Sequence, residues 1–345
     1  MLKIPLLVGD IDAEWLAHVL DAPVRSCRVA DAHAGTTGRA VLELEYEGNT
    51  DLPPRLFVKL PPDDEMQRLF VTSAGMGRRE ALFYDLLSTE VPVRVPRSYF
   101  AASDDAGEHY IMLLEHLEDS GCTFNNASHF HSLDYVRSVL AAFARLHAAY
   151  WESPRFDTDL DWIDPPMQHE IAVQLVDSAL QQHGADMPPV FTQMARLYLA
   201  QADGIHALWR RGPQTLIHGD VHDGNLFMDH GEPGFLDWAV LARGPAMRDV
   251  GYFLAGTLEE DERGALPDLL AYYASELVAA GATPPSAQDM WRQLQWHAAY
   301  VWVGATVTLA MGDAWQPVNY VMSSLQRLHG AMETLSSVEA IRAEL

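Results

Sequence analysis

The spacing of apolar residues changes partway along this chain, from strand-like alternation to helical recurrence, and that change restricts the possible folds more than any other feature. Ahead of the first strand, Asp10 or Asp12 is placed to cap a helix whose stripe is Trp15, Leu16, Val19 and Leu20. Alternation predicts a strand over Val24 to Ala30 and another over Ala40 to Tyr46, where Leu42, Leu44 and Tyr46 share one side and Glu43 and Glu45 the other. The turn residues Gly35 to Gly38 join them into a hairpin. Pro53-Pro54 and Pro61-Pro62 bracket a third strand, Arg55 to Leu60. A helical pattern follows from Asp64 to Ser88, broken near Gly75 and Gly77, with Glu80, Phe83, Tyr84 and Leu87 on one face. Arg97 to Ala102 and Tyr110 to Glu115 read as two further strands, joined by the turn Asp104 to Gly107. The first part is therefore expected to hold five strands with one inserted helix.

Beyond Gly121 the periodicity is helical, as in Leu133, Val136, Leu140, Phe143 and His147. Further helices are expected near 189–210, 246–256, 264–280, 286–311 and 316–335, interrupted between Thr215 and Trp238 by short strand-like pieces. The expectation is an α+β fold of two lobes: a small antiparallel-sheet lobe over 1–114, a connection at 115–120, and a larger, mostly helical lobe over 121–345. With 345 residues and 48% hydrophobic positions, the chain is long and apolar enough to bury both.

A formal net charge of −25, with no stretch concentrating Lys and Arg, disfavours nucleic acid as a partner. Cys27 and Cys122 lie far apart, without disulfide-framework or zinc-ribbon spacing, which fits a reducing, cytoplasmic setting. The N-terminal apolar stretch is too short for a signal-peptide core, and the run Ala298 to Met311 falls short of a membrane span, so neither export nor a membrane partner is expected. Basic residues are almost all Arg; the lysines are Lys3 and Lys59 alone. A lysine kept inside an apolar strand is a candidate for chemistry that requires a compact ammonium.

The chemistry concentrates in His218-Gly219-Asp220-Val221-His222-Asp223-Gly224-Asn225, set between apolar stubs, and in Asp237, which ends another stub. An Asp followed five positions later by an Asn, with a later Asp after a strand, is the spacing of phosphoryl transfer in the protein-kinase template. That reaction depends on positioning and charge neutralisation, so a carboxylate orients the attacking hydroxyl while oxygen ligands hold Mg2+ against the phosphates. Asp220 is the expected base, and Asn225 and Asp237 the expected metal ligands. His218, His222 and Asp220 could alternatively form a zinc site, but Gly219 and Gly224 indicate a loop rather than the helix face such a spacing normally uses. Both imidazoles are instead expected to bond loop backbone. Asp249, after the turn Gly244-Pro245 and at a helix start, is expected to brace that loop by accepting its backbone N–H groups.

His218-Gly-Asp220-x-His222-x-x-Asn225 followed by Asp237-Trp238 closely resembles the catalytic motif of the aminoglycoside phosphotransferase and choline kinase superfamily. Phe57-Val58-Lys59-Leu60 resembles that family's ATP-phosphate lysine strand, and Arg79-Glu80-Ala-Leu-Phe-Tyr84 its partnering helix. Leu113 to Leu117 resembles the hinge between lobes, and Leu146-His147-Ala-Ala-Tyr150-Trp151 the helix beneath the active site. The Lys59 strand followed by two prolines, the Leu-Leu-Glu hinge and His147-x-x-Tyr150-Trp151 are most similar to the ecdysteroid-kinase-like branch. The resemblance implies a bilobal protein-kinase-like fold and an ATP- and Mg2+-dependent kinase acting on a small-molecule hydroxyl. It places adenine between the lobes against the backbone of Glu115 to Leu117, and phosphates at Lys59, partnered by Glu80. The segment Ala34 to Gly38 departs from the kinase glycine-loop pattern, so Thr36, Thr37 and Gly38 are phosphate-binding candidates by position only. A steroid-like alcohol, an aminoglycoside, and a silent nucleotide-binding scaffold are the readings the sequence leaves open. Trp291, Trp296, Tyr300, Trp302 and Trp315 are expected to be mostly core, with one or two facing an acceptor.

Overall fold

Short breakers and alternation fix the first strands of the computed structural model, which describes residues 3–34, 37–124, 132–166, 170–313 and 315–345. Helix α1 (Ala13–Leu20) is capped by Asp12, whose carboxylate accepts from Trp15 N at 2.7 Å. Strands β1 (Val24–Ala34), β2 (Gly38–Tyr46) and β3 (Arg55–Leu60) follow, then helices α2 (Glu65–Ser73) and α3 (Met76–Leu82), a π-helical turn (Phe83–Leu87), and β4 (Ser98–Ser103) and β5 (Tyr110–Glu115). The sheet is antiparallel in the order β1-β2-β3-β5-β4.

Two expectations are corrected here. Strand β1 runs on to Ala34, because it stays paired with β2 as far as Ala34 opposite Gly38. The single inserted helix is two helices and a π turn: Gly75 adopts φ +64°, a conformation that ends α2 and lets α3 start in a new direction.

The remaining elements are β6 (Thr123–Phe124), α4 (Leu133–Ala149), α5 (Glu170–His183), α6 (Pro189–Leu208), β7 (Gln214–Ile217), β8 (Leu226–Asp229), β9 (Glu232–Phe235), β10 (Ala242–Pro245), α7 (Met247–Thr257), α8 (Leu266–Ala279), α9 (Ala287–Met311), α10 (Val318–Thr334) and α11 (Ser337–Arg342). Helix α5 was not expected; only Val176 and Ala179 of it are buried, too thin a stripe to stand out as a period.

The fold is α+β and bilobal, and contacts group it into two compact units. The first comprises described residues of 1–125 together with 225–240, so the β8–β9 hairpin groups with the five-stranded sheet. Its core lies on one sheet face, where Leu42, Leu44, Leu56, Val58, Leu60, Ile111 and Leu113 pack with Leu16 of α1. The second comprises described residues of 126–224 and 241–345 and is helical, apart from the antiparallel pair β7 and β10. Long α9 packs against α5, α7 and α10, burying Trp302 and Trp296. Among the described residues no helix is long and apolar enough to cross a membrane.

Candidate active site

Alternation along β3 decides the placement of Lys59. Leu56, Val58 and Leu60 enter the core beneath α1, which sends Phe57 and Lys59 to the opposite face. There Lys59 Nζ donates to Glu80 Oε1 at 2.7 Å and Oε2 at 2.5 Å, and to Asp237 Oδ1 at 3.0 Å. Lys59 is 4% exposed and Glu80 fully buried, so each charge depends on the other for the solvation it has lost. Burial, reinforced by the Asp237 charge, raises the Glu80 carboxyl above its ordinary range against the pull of Lys59.

Asp237 is held from two sides. Arg39, directly opposite Lys59 in the β2–β3 register, donates to Asp237 Oδ2 at 3.0 Å. The Asp237 backbone has φ +64°, a left-handed conformation that Asp tolerates better than most side chains and that recurs at functional sites. The next residue locks this turn: Trp238 N donates to Glu80 Oε1 at 3.2 Å, and the buried Trp238 ring stacks on Phe83 at 4.1 Å between centroids. Asn225 is buried, and its carbonyl accepts from Leu236 N at 3.0 Å, which keeps the starts of β8 and the Asp237 turn together. Lys59, Glu80 and Asp237 are thus gathered, and Arg39 joins them although no motif pointed to it. It reaches them through the β2–β3 register, which pairs Gly38 with Leu60 and so Arg39 with Lys59.

Other predicted residues are arranged differently. Thr37 is buried, with no hydrogen-bond partner for Oγ1 among the described residues, while Thr36 lies outside those residues. A side chain at Gly38 would put its Cβ 2.7 Å from Pro61 O, so this position requires glycine for close backbone approach. The Glu115 carboxylate accepts from Arg94 Nη2 at 2.7 Å and Arg97 N at 3.0 Å. Burial works to raise its pKa, but these donors together hold it below the usual range. Arg94, ahead of β4, also donates to Asp229 Oδ2 at 2.6 Å, tying the end of β5 to the β8–β9 hairpin. Glu115 therefore spends its side chain on structure, and its backbone N–H donates to Arg97 O at 2.8 Å. Leu117 packs on Cys122 and Phe227.

In the second unit, Asp249 organises the loop after β7. Its Oδ2 accepts from His218 N at 2.7 Å and its Oδ1 from Gly219 N at 2.9 Å, with His147 Nε2 3.3 Å from Oδ2. Full burial works to raise the Asp249 pKa, yet His147, the charge of His218 and the Gly219 amide outweigh it and hold the carboxyl below its usual range. His147 is in turn fixed by Tyr273 Oη at 2.8 Å, and its carbonyl accepts from Thr215 Oγ1 at 2.7 Å. Gly219 takes φ +87°, which a side chain would strain. His218 Nδ1 accepts from Asp220 N at 3.3 Å and His222 Nδ1 from Gly224 N at 3.0 Å, so both imidazoles bond loop backbone. Among the described residues no group of three or more His, Cys, Asp or Glu is placed to hold a metal ion. Tyr252 donates its hydroxyl to Asp220 Oδ1 at 2.8 Å. Sequence reasoning missed Tyr252, which is separated from Asp220 by 32 positions and linked to it only by the path of α7.

A family model described as "Phosphotransferase enzyme family" matches residues 34–289. A methylthioribose kinase of Bacillus velezensis is 37% identical over 57 residues, 16% of this chain and 14% of that kinase, so the chain spans a small fraction of its length. The GDP complex of wild-type aminoglycoside 2'-phosphotransferase-IIIa superposes with TM-score 0.55 at 12% identity, covering 92% of this chain and 96% of that one. Choline kinase from Cryptosporidium parvum Iowa II gives 0.53 at 11% identity, covering 92% and 91%. Choline kinase LicA from Streptococcus pneumoniae gives 0.51 at 15% identity, covering 94% and 97%. At these identities the likeness is one of fold.

Proposed function

Since the chain belongs to the phosphotransferase enzyme family, we propose that it is an ATP-dependent kinase that phosphorylates a hydroxyl group of a small molecule. The observation that carries this reading is the buried ammonium of Lys59, fixed by Glu80 and bonded to Asp237 at 3.0 Å. A fixed cation beside a carboxylate suits a bound nucleotide, whose phosphates need a positive charge already in place. The backbone of 115–117 is the proposed seat of adenine, and Thr37 and Gly38 the proposed cover over the phosphates. The hinge role of 115–120 belongs to the same proposal.

Asp220 acts as the base. Tyr252 orients its carboxylate, which takes the proton of the acceptor hydroxyl as that oxygen bonds the terminal phosphorus and the bond from phosphorus to the ADP oxygen breaks. Asn225 and Asp237 would hold Mg2+: an amide and a carboxylate oxygen are the hard donors this ion takes. The ion would supply neutralisation of phosphate charge. Asp249 and His147 hold the loop that carries Asp220, and His218 and His222 fix its backbone.

The acceptor alcohol is the open part of this reading. Resemblance to the ecdysteroid-kinase-like branch nominates a steroid-like alcohol, and the fold neighbours nominate an aminoglycoside or choline. Mg2+-dependent ATP binding should raise the melting temperature of the wild type and do so less in Asp237→Ala; no rise in the wild type would refute the proposal. A screen of hydroxyl compounds, sterols and aminoglycosides included, should find one that stimulates ADP release. Asp220→Ala should lose that stimulation, and full turnover by this variant would remove Asp220 from its role.

A further inference from the structure

We propose that Arg248 is an anion-recognition residue of the acceptor site, so that the acceptor is a hydroxyl compound carrying an oxyanion, carboxylate or phosphate. This rests on the kinase reading above and narrows its substrate class. Arg248 stands in the first turn of α7 and is 2% exposed, yet its Nε and Nη1 have no hydrogen-bond partner among the described residues. The chain holds 48 acidic residues, and among those described none forms an ion pair with this guanidinium. A buried charge without a counterion is costly, and most buried arginines are paired for that reason. The contact that Arg248 does make is with an aromatic face: Cζ lies 3.6 Å from the Tyr300 ring centroid. A cation–π contact offsets only part of the desolvation and leaves the donor fork unused.

The surroundings are polar and close to the proposed base. Both ring nitrogens of fully buried His297, and Oε1 of Gln293, also lack partners among the described residues, and these two residues share a face of α9 with Tyr300. Gly251 lets α7 approach that face closely, since a Cβ there would be 2.7 Å from His297 Cβ. Burial, then the Arg248 charge, keeps His297 neutral, with one donor and one acceptor nitrogen. Arg248 and Tyr252 lie four apart on α7, about 6 Å along one helix face, and both rest against Tyr300. Because Tyr252 holds Asp220, an acceptor whose oxyanion met the Arg248 fork would bring a hydroxyl a few bonds away to the Asp220 carboxylate. Arg248 binds and positions; Asp220 remains the base.

The test uses the full chain saturated with Mg-ADP, so that the nucleotide site is filled, and three matched probes: glycerol, glycerate and glycerol 3-phosphate. Glycerate, glycerol 3-phosphate or both should raise the melting temperature, glycerol should not, and the two anions separate a carboxylate from a phosphate specificity. Arg248→Met should lose the shift while keeping that given by Mg-ADP, and Arg248→Lys should retain part of it. With any oxyanion acceptor found by ADP release, Arg248→Met should raise KM about 100-fold with ATP KM unchanged. The proposal is overturned if neither anion shifts the wild type, if glycerol shifts it equally, or if Arg248→Met keeps the anion response. Should Arg248→Met not fold, Arg248→Lys and the wild-type comparison of the three probes still decide. Failure of the Mg-ADP shift itself would instead strike the kinase reading.

Discussion

The most consequential single interaction is the ammonium of Lys59 between two carboxylates. Removing one partner of a buried pair leaves the other charged and unsolvated, at a cost of about 3–5 kcal/mol. Lys59→Met should therefore lower the unfolding free energy by about that amount, and Lys59→Met with Glu80→Gln should recover much of it. A double-mutant cycle by denaturant unfolding measures this, and additive effects would show that the pair is not coupled. Asp249 gives a second prediction, in acid. Its folded-state pKa lies below the ordinary 3.8, so its stabilisation is complete above that value and is lost as pH falls through the depressed folded value. Asp249→Asn should be less stable at neutral pH, because a neutral amide holds the His218 and Gly219 amides less strongly, and should lose less stability below about pH 4. Melting temperature against pH reads both; a wild-type slope that persists in the variant would assign the acid loss elsewhere.

At the scale of elements, the site depends on helix α3 lying close to strand β5. Gly77 permits this, because a Cβ there would lie 2.0 Å from Tyr110 Cε1. Glu80 follows Gly77 by three residues, about one helical turn, so the close approach also brings the carboxylate to Lys59. Gly77→Ala should destabilise by about 1–3 kcal/mol through overpacking and weaken Mg-ATP binding with it; a variant as stable as the parent that binds as well would deny the helix this role. Elements with local punctuation were legible in the sequence: prolines fix β3, and the turn Asp104 to Gly107 sets off the apolar run of β5. The π turn after α3 was not, since no local residue pattern distinguishes it from the helix it continues. The site divides in the same way. Lys59, Glu80 and Asp237 were readable as a set through the family resemblance, with the alternation of β3 and the face of α3 agreeing. Arg39, Tyr252 and Arg248 were not, because their partners come from strand register and helix packing, which join distant parts of the sequence.

Across the whole molecule, the formal net charge of −25 sets a term that no single pair controls. Like charges crowd together in a folded chain and spread apart on unfolding, so the compact state carries the greater self-repulsion. Raising NaCl from about 10 mM to 150 mM shortens the screening length from about 30 Å to 8 Å and reduces that repulsion. The same salt weakens exposed pairs such as Arg28 with Glu43, Arg155 with Asp159 and Arg327 with Glu259, an effect of opposite sign. Each exposed pair contributes only about 0–1 kcal/mol, and the buried pair of Lys59 with Glu80 is largely beyond the reach of mobile ions. Repulsion should prevail, and the melting temperature should rise with NaCl over this range. A fall would mean that attractive pairs outweigh the excess of carboxylates. Substituting Arg for exposed acidic residues remote from the Lys59 cluster should then reduce the salt response in proportion to the charge removed, without altering Mg-ATP binding.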